Sequence, residues 1–253
     1  MLPPTSRCLA DESLPLFLCA RIRICFGSLP LKIYLISGLG ADERVFRRLD
    51  FRGLSVVHIH WLEPLSGTES LSHYVERLSG QIDRGQEVVL VGVSFGGMIA
   101  QELARVVPCR RVIILSSVKS EAEYSFQLRL LRVARLYALV PASWLKKWGL
   151  WFADYFFGTE TSEEADLLKT IIRETPEKFM AWAIGVIMHW ENPHPLPGLI
   201  HLHGTHDRIF PARSIQGYIP VEGGGHLMIL NRASQISEHM HQAIMSSKDR
   251  DGS

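Results

Sequence analysis

The sequence predicts an α/β protein that has a mostly parallel sheet with helices on both faces, and an inserted helical cap. Short apolar runs that suit buried strands alternate with segments whose apolar residues recur at helical spacing. Strands separated by helices favour parallel pairing, with the helices covering both faces of the sheet. A helix-rich block without strands, residues 119–192, interrupts the alternation and predicts the cap.

The predicted strands are six short apolar segments, at residues 32–36, 55–59, 88–91, 112–115, 199–203 and 216–219. The first ends at Ser37-Gly38-Leu39-Gly40, which indicates a buried strand entering a tight loop. The third leads directly into Gly92-Val-Ser94-Phe-Gly96. These are the strands expected to form the sheet.

Three helices are predicted between or after the strands, at residues 69–83, 96–107 and 232–246. Three more are predicted inside the helix-rich block. The first carries apolar residues from Leu128 to Ala138 and ends before Pro141. The second begins at the capping-box pattern Thr161-Ser-Glu-Glu164. The third begins with Thr175 as the capping residue and Pro176 at the first helical position.

The domain organisation that follows is a core of residues 31–118 and 193–247 with a cap of residues 119–192. Residues 1–30 form an N-terminal extension of uncertain structure. Its segment 20–26 alternates weakly, which fits either an edge strand or a disordered extension.

The composition excludes several classes of protein. Lys and Arg number 27 against 26 Asp and Glu, a net charge of +1, which argues against a nucleic-acid partner. No apolar run approaches the roughly 20 residues that span a bilayer, so no membrane partner is predicted. The run Leu14–Ala20 lies between acidic and arginine residues, unlike a cleaved signal, which favours a cytoplasmic protein. The four cysteines, at 8, 19, 25 and 109, do not have the spacing of a zinc site. The sequence leaves open whether two of those near the N-terminus form a disulfide.

The motif Gly92-Val-Ser94-Phe-Gly96 lies between a strand and a helix. A tight turn at this place projects the serine hydroxyl toward a substrate, and its flanking positions need glycine. A serine hydroxyl is a weak nucleophile until a base takes its proton. The motif therefore predicts Ser94 as a nucleophile and requires a base elsewhere in the chain.

Residues 31–246 resemble the α/β-hydrolase family, in particular serine esterases that carry a helical cap. The resemblance rests on Ser94 in its turn, on the loop His203-Gly-Thr-His-Asp207 after a later strand, and on Gly223-Gly-Gly-His226 after the last strand. It implies a catalytic triad in which His226 is the general base and Asp207 orients it. It also implies an oxyanion hole formed by the backbone N–H groups of Leu39 and Phe95, although Ser37 stands where the family often has His-Gly.

Two further motifs suggest other classes of site. Gly38-Leu-Gly40 after a strand imitates a dinucleotide-binding fingerprint, but Glu43 stands where its third glycine is needed. His201, His203 and His206 form a dense cluster that suggests a metal, but no second cluster completes a hydrolytic metal site. Neither a metal nor a cofactor is predicted.

The expected substrate is a small, fairly hydrophobic ester. The stretch 144–157 is rich in aromatic residues and poor in charge, so a few of its side chains are expected to line an apolar pocket. Trp151, Phe152 and Trp182 are the candidates for substrate binding. Hydrolysis of thioester, lactone, amide or C–C bonds stays open, as does a binding protein that keeps the fold without catalysis. The sequence does not predict the physiological substrate or the oligomeric state.

Overall fold

Six strands form one parallel sheet in the computed structural model, which describes residues 30–134 and 142–246. Their order across the sheet is β2-β1-β3-β4-β5-β6, and all five neighbouring pairs are parallel. The strands are β1 (Leu31–Ile36), β2 (Ser55–Ile59), β3 (Glu87–Val93), β4 (Arg111–Leu115), β5 (Ile200–Gly204) and β6 (Ile219–Val221). The predicted fold class is confirmed.

Eight α-helices accompany the strands within the described part of the chain. They are α1 (Leu71–Ser79), α2 (Phe95–Val106), α3 (Phe126–Ala134), α4 (Ala142–Phe157), α5 (Ser162–Glu174), α6 (Glu177–His189), α7 (Met228–Asn231) and α8 (Ala233–Met245). The possible edge strand at 20–26, the cysteines at 8, 19 and 25, and the end of the first predicted cap helix lie outside the described residues.

Both faces of the sheet are buried, and the side chains of each strand alternate between them. In β1, Tyr34 and Ile36 pack in one buried cluster with residues of α1 and α2. Their neighbours Ile33 and Leu35 pack in a second cluster with residues of α7 and α8. Successive side chains of a strand point to opposite faces, so a strand buried on both sides is apolar throughout.

The sheet brings the ends of its strands to one edge. Gly92 in β3 is in register with Ile36 in β1, and Val93 is in register with Leu115 in β4. Leu115 is in turn in register with Leu202 in β5. The loops that follow β1, β3 and β5 therefore meet at the carboxyl edge, where open α/β sheets bind their ligands.

The last strand begins later than its apolar pattern indicates. It was predicted at residues 216–219 but spans Ile219–Val221. Gly217 has a φ of 52°, which breaks an extended chain. The carbonyl oxygens of Gln216 and Gly217 accept hydrogen bonds from the Lys119 ammonium instead of joining the sheet.

N-cap residues were predicted for two helices of the inserted block, and the structure confirms one of them. Thr161 is the N-cap of α5, and its hydroxyl accepts a hydrogen bond of 3.2 Å from the Glu164 N–H. Thr175 does not cap α6, whose N-cap is Pro176. Its hydroxyl lies 2.8 Å from the carbonyl oxygen of Ile171 and 3.0 Å from that of Gly40. Thr175 therefore joins the end of α5 to the loop after β1.

Helices α3–α6 lie between β4 and β5 in the chain, where the cap was predicted. The aromatic stretch 144–157, for which no helix was predicted, lies entirely within α4. Phe179 and Trp182 of α6 share a buried cluster with Tyr74 and Phe95. This block thus packs into the same core as the sheet, and the division into core and cap stays a prediction.

Among the described helices, none combines the length and the apolar character needed to cross a bilayer.

Candidate active site

Ser94 lies in a sharp turn between β3 and α2. Its backbone has φ 53° and ψ −119°, in the left-handed region that side chains rarely adopt. A Cβ atom on Gly92 would lie 2.2 Å from the Gly96 carbonyl oxygen, and one on Gly96 would lie 2.2 Å from the Ser37 carbonyl oxygen. Only glycine fits at these two positions, and the turn places the Ser94 hydroxyl at the carboxyl edge of the sheet.

His226 joins Ser94 to Asp207. Its Nε2 lies 2.9 Å from the Ser94 Oγ, and its Nδ1 lies 2.8 Å from an Asp207 carboxylate oxygen, Oδ2. A carboxylate only accepts hydrogen bonds, so Nδ1 carries the proton and Nε2 is free to accept from the hydroxyl. Three side chains separated by up to 132 positions are thus joined in one hydrogen-bonded series.

Both oxygens of the Asp207 carboxylate accept hydrogen bonds. Oδ1 accepts the backbone N–H groups of Ile209, at 2.8 Å, and Phe210, at 2.9 Å, while Oδ2 faces His226. The side chain has no exposed surface. Charge-assisted hydrogen bonds of this kind stabilise the ionised carboxylate and set its direction.

The His226 loop is positioned by close backbone contacts. A Cβ atom on Gly204, at the end of β5, would lie 2.3 Å from the Gly224 carbonyl oxygen. The Leu227 N–H donates to the Phe157 carbonyl oxygen at 2.8 Å. The Phe157 ring stands edge-on to the imidazole, with ring centres 5.4 Å apart. The end of α4 and the end of β5 therefore both fix the histidine.

The two residues predicted for an oxyanion hole lie beside Ser94. Phe95 is the first residue of α2, and N–H groups in the first turn of a helix lack an intrahelical partner. Leu39 follows Gly38, on which a Cβ atom would lie 3.5 Å from the Ser94 Cβ. Both loops thus reach the nucleophile, and the oxyanion role of the two N–H groups stays a prediction.

An apolar cavity of about 180 Å³ opens at Ser94 and His226. Of its 19 lining residues, those two alone have polar side chains, and none of the 19 is charged. Apart from Gly38, the rest of the lining is aliphatic or aromatic and comes from several parts of the chain, including Leu128, Phe157, Leu167, Ile171, Ile187 and Phe210. The cavity therefore suits an uncharged, apolar group.

The predicted substrate-binding aromatics do not line this cavity. Trp151 and Phe152 are 81% and 51% exposed, on the outer side of α4. Trp182 is buried in the core, where its indole N–H donates to the Glu69 carbonyl oxygen at 2.9 Å. The correction has a physical reason, because aromatic content does not show which side of a helix faces the site. A helical-spacing analysis of α5 would have marked Leu167, Leu168 and Ile171.

Two buried histidines beside the site bond to each other. His203 Nε2 lies 2.8 Å from the Phe210 carbonyl oxygen, and His201 Nε2 lies 3.2 Å from His203 Nδ1. A carbonyl can only accept, so His203 carries its proton on Nε2 and receives the His201 proton at Nδ1. Burial lowers the pKa of both imidazoles, that of His201 furthest. Among the described residues, no group of three or more His, Cys, Asp or Glu side chains is arranged to hold a metal ion.

This pair predicts that acid destabilises the protein. A histidine with a lowered folded-state pKa binds fewer protons than in the unfolded chain, so its contribution to stability is lost as the pH falls below about 6.5. The unmodified protein should lose free energy of unfolding between about pH 7.5 and about pH 5.5. We expect this loss to be about 1 kcal/mol smaller in His201→Gln. Urea unfolding at both pH values measures this change. The exposed His206, changed to Gln, is the control, and equal pH dependence in His201→Gln and the unmodified protein would contradict the prediction.

The fold and the site together define a class of protein. A parallel sheet carries a serine in a strained turn after a central strand, and a histidine and an aspartate from later loops complete a hydrogen-bonded series at the same edge. This is the architecture of an α/β hydrolase. The sequence model described as "Alpha/beta hydrolase family" matches residues 25–238. The chain belongs to the alpha/beta hydrolase family.

Solved structures of similar fold include two esterases. The thermophilic esterase from Thermogutta terrifontis, with malate bound, gives a TM-score of 0.65 at 16% identity, covering 86% of this chain and 90% of that one. The esterase EaEST from Exiguobacterium antarcticum gives 0.65 at 17% identity, with coverages of 87% and 93%.

A bromoperoxidase from Bacillus anthracis gives a TM-score of 0.62 at 15% identity, with coverages of 87% and 93%. At these identities the likeness concerns the fold. A comparison with curated proteins gives no match.

Proposed function

We propose that this protein is a serine hydrolase that cleaves small, apolar carboxylic esters. The observation that carries the proposal is the hydrogen-bonded series Ser94–His226–Asp207, at 2.9 Å and 2.8 Å, at the mouth of an uncharged cavity. A serine and a base in hydrogen-bond contact, with a third group orienting the base, are the arrangement that activates a hydroxyl as a nucleophile.

The proposed reaction begins with the Ser94 Oγ attacking the ester carbonyl carbon while its proton passes to His226 Nε2. The imidazolium that forms is stabilised by Asp207, which keeps the Nδ1 proton directed at Oδ2. The carbonyl oxygen becomes an oxyanion, for which the N–H groups of Phe95 and Leu39 are the proposed donors. Collapse of the tetrahedral intermediate breaks the ester C–O bond, and His226 returns the proton to the leaving alcohol.

A water molecule completes the cycle. His226 Nε2 takes a proton from the water as its oxygen attacks the acyl carbon, and the proton then passes to Ser94 as the acid is released. The buried carboxylate and the apolar cavity support this reaction sequence. The attraction between the His226 imidazolium and the Asp207 carboxylate is stronger where water is excluded. The comparisons with esterase structures agree with the proposal at the level of fold.

A fluorophosphonate probe tests the proposal. Such a probe phosphonylates a serine only when a base activates its hydroxyl, so we expect labelling of the folded protein and loss of the label in Ser94→Ala. Ser66→Ala, which changes an exposed serine, is the matched control and should label like the unmodified protein. Folded protein that never labels would favour a ligand-binding role without catalysis, and label retained in Ser94→Ala would exclude Ser94 as the nucleophile.

The cavity predicts which acyl chains are preferred. An apolar cavity of about 150 Å³ holds a six-carbon ring, so about 180 Å³ suits acyl groups of roughly four to six carbons. In a series of p-nitrophenyl esters, we expect kcat/KM to peak in that range and to fall by at least roughly tenfold for a twelve-carbon acyl group. Ile171→Ala enlarges the lining and should move the optimum to longer chains. A flat profile in both proteins would contradict the prediction.

A further inference from the structure

Helix α4 has two apolar sides, of which the described residues cover one. The inner side packs on the core through Ala153, which is fully buried, and through Leu150 and Phe157. The outer side carries six aromatic residues with exposures from 42% to 81%. We call these residues the aromatic face: Trp144, Trp148, Trp151, Phe152, Tyr155 and Phe156. Their spacing of three or four positions places them on one side of the helix.

The size of the aromatic face separates it from ordinary exposed apolar residues. Single exposed apolar side chains are normal, but a contiguous patch marks an interaction site. The aromatic face therefore has the character of an interaction surface.

Positive charge borders the aromatic face. Lys147 is exposed next to Trp148, and the Arg208 guanidinium lies over the Tyr155 ring, 4.3 Å from its centre. The carboxylate of α4, Asp154, is paired with Lys169 at 2.9 Å. Two cationic side chains therefore border the aromatic face, although the whole chain has a net charge of only +1. Anionic groups complement such a surface.

This combination of residues favours a lipid surface over a protein partner. Tryptophan and tyrosine concentrate at membrane–water interfaces, and lysine or arginine beside them binds anionic headgroups. Lysine is depleted in the interfaces between proteins. The 16 residues of α4 are about 24 Å long, too short to cross a bilayer but suited to lying in its surface.

We propose that the aromatic face docks this protein on an anionic lipid surface, with α4 lying in the plane of the headgroups. The sequence predicted no membrane partner because it has no spanning segment, and surface docking needs none. Helix α4 ends at Phe157, on its inner side, which contacts the His226 ring and lines the cavity, so the docked helix ends beside the candidate site. Docking does not depend on the role proposed for Ser94, and goes beyond the proposed function.

Co-sedimentation of the full-length protein with vesicles tests the proposal. One set of vesicles contains phosphatidylcholine alone and the other contains added phosphatidylglycerol. We expect binding to the anionic vesicles, weakened by salt, and a loss of at least roughly tenfold in the partition coefficient for the double variant Trp144→Ser, Trp148→Ser. Lys147→Gln should weaken binding by about fivefold.

Matched variants keep the result specific. Leu65→Ser changes an apolar side chain that is 64% exposed in another part of the surface, and should bind like the unmodified protein. Thermal unfolding checks that each variant is folded. Ser94→Ala should bind vesicles normally, which separates this proposal from the proposed function. Failure of the full-length protein to bind anionic vesicles would overturn the proposal. Self-association that the double tryptophan variant abolishes would also overturn it, because a second copy would then be the occupant.

Discussion

The Ser94→Ala variant is expected to lose between roughly 10⁵-fold and 10⁶-fold in kcat for a p-nitrophenyl ester. The alanine lacks the oxygen that would form the acyl-enzyme, so only binding and the proposed oxyanion donors remain. The substitution leaves the turn itself unchanged, because alanine and serine meet the same steric demand at a φ of 53°. Initial rates under saturating substrate, corrected for spontaneous hydrolysis, measure the loss.

The control for this prediction is the stability of the same variant. The Ser94 side chain accepts no cap hydrogen bond in α2, and its described partner is His226. We therefore expect the melting temperature of Ser94→Ala to remain within a few degrees of the unmodified protein, as for most changes outside packing and caps. A folded Ser94→Ala protein that keeps more than roughly a hundredth of the activity would rule out the acyl-enzyme mechanism.

Asp207→Asn is expected to lower kcat by roughly 10⁴-fold, the second largest effect. Oδ1 of Asp207 accepts two backbone N–H groups, from Ile209 and Phe210, so the asparagine oxygen should keep that place. Its NH₂ group would then face His226 Nδ1 and donate to it. The imidazole would carry its proton on Nε2, where it can no longer accept the proton of Ser94.

Two measurements distinguish this effect from general damage. Asp154→Asn changes a half-exposed carboxylate on α4 and should leave kcat within about twofold of the unmodified value. Thermal unfolding of Asp207→Asn reports whether the loop keeps its two backbone hydrogen bonds. A loss below roughly tenfold in well-folded Asp207→Asn would show that the carboxylate does not set the histidine tautomer.

Local patterns were sufficient for much of the fold. Strands β1 to β5 lie within one or two residues of their apolar runs, because a strand buried on both faces must be apolar throughout. The predicted start of β6 was wrong, because Gly217 adopts a left-handed conformation inside an apolar-looking segment. The role of Thr175 was also wrong, because its hydroxyl contacts Gly40, 135 positions away, and no local pattern reports such a contact.

The sequence by itself determined the succession of the six strands along the chain, the glycine-flanked turn at Ser94 and, through the family resemblance, the candidate roles of Asp207 and His226. The strands and the turn depend on residue type and short spacing, which are local properties of the chain. Tertiary structure alone decided which side chains surround the nucleophile and which face solvent. Trp151 points outward and Ile171 lines the cavity because packing between distant segments sets how each helix is rotated.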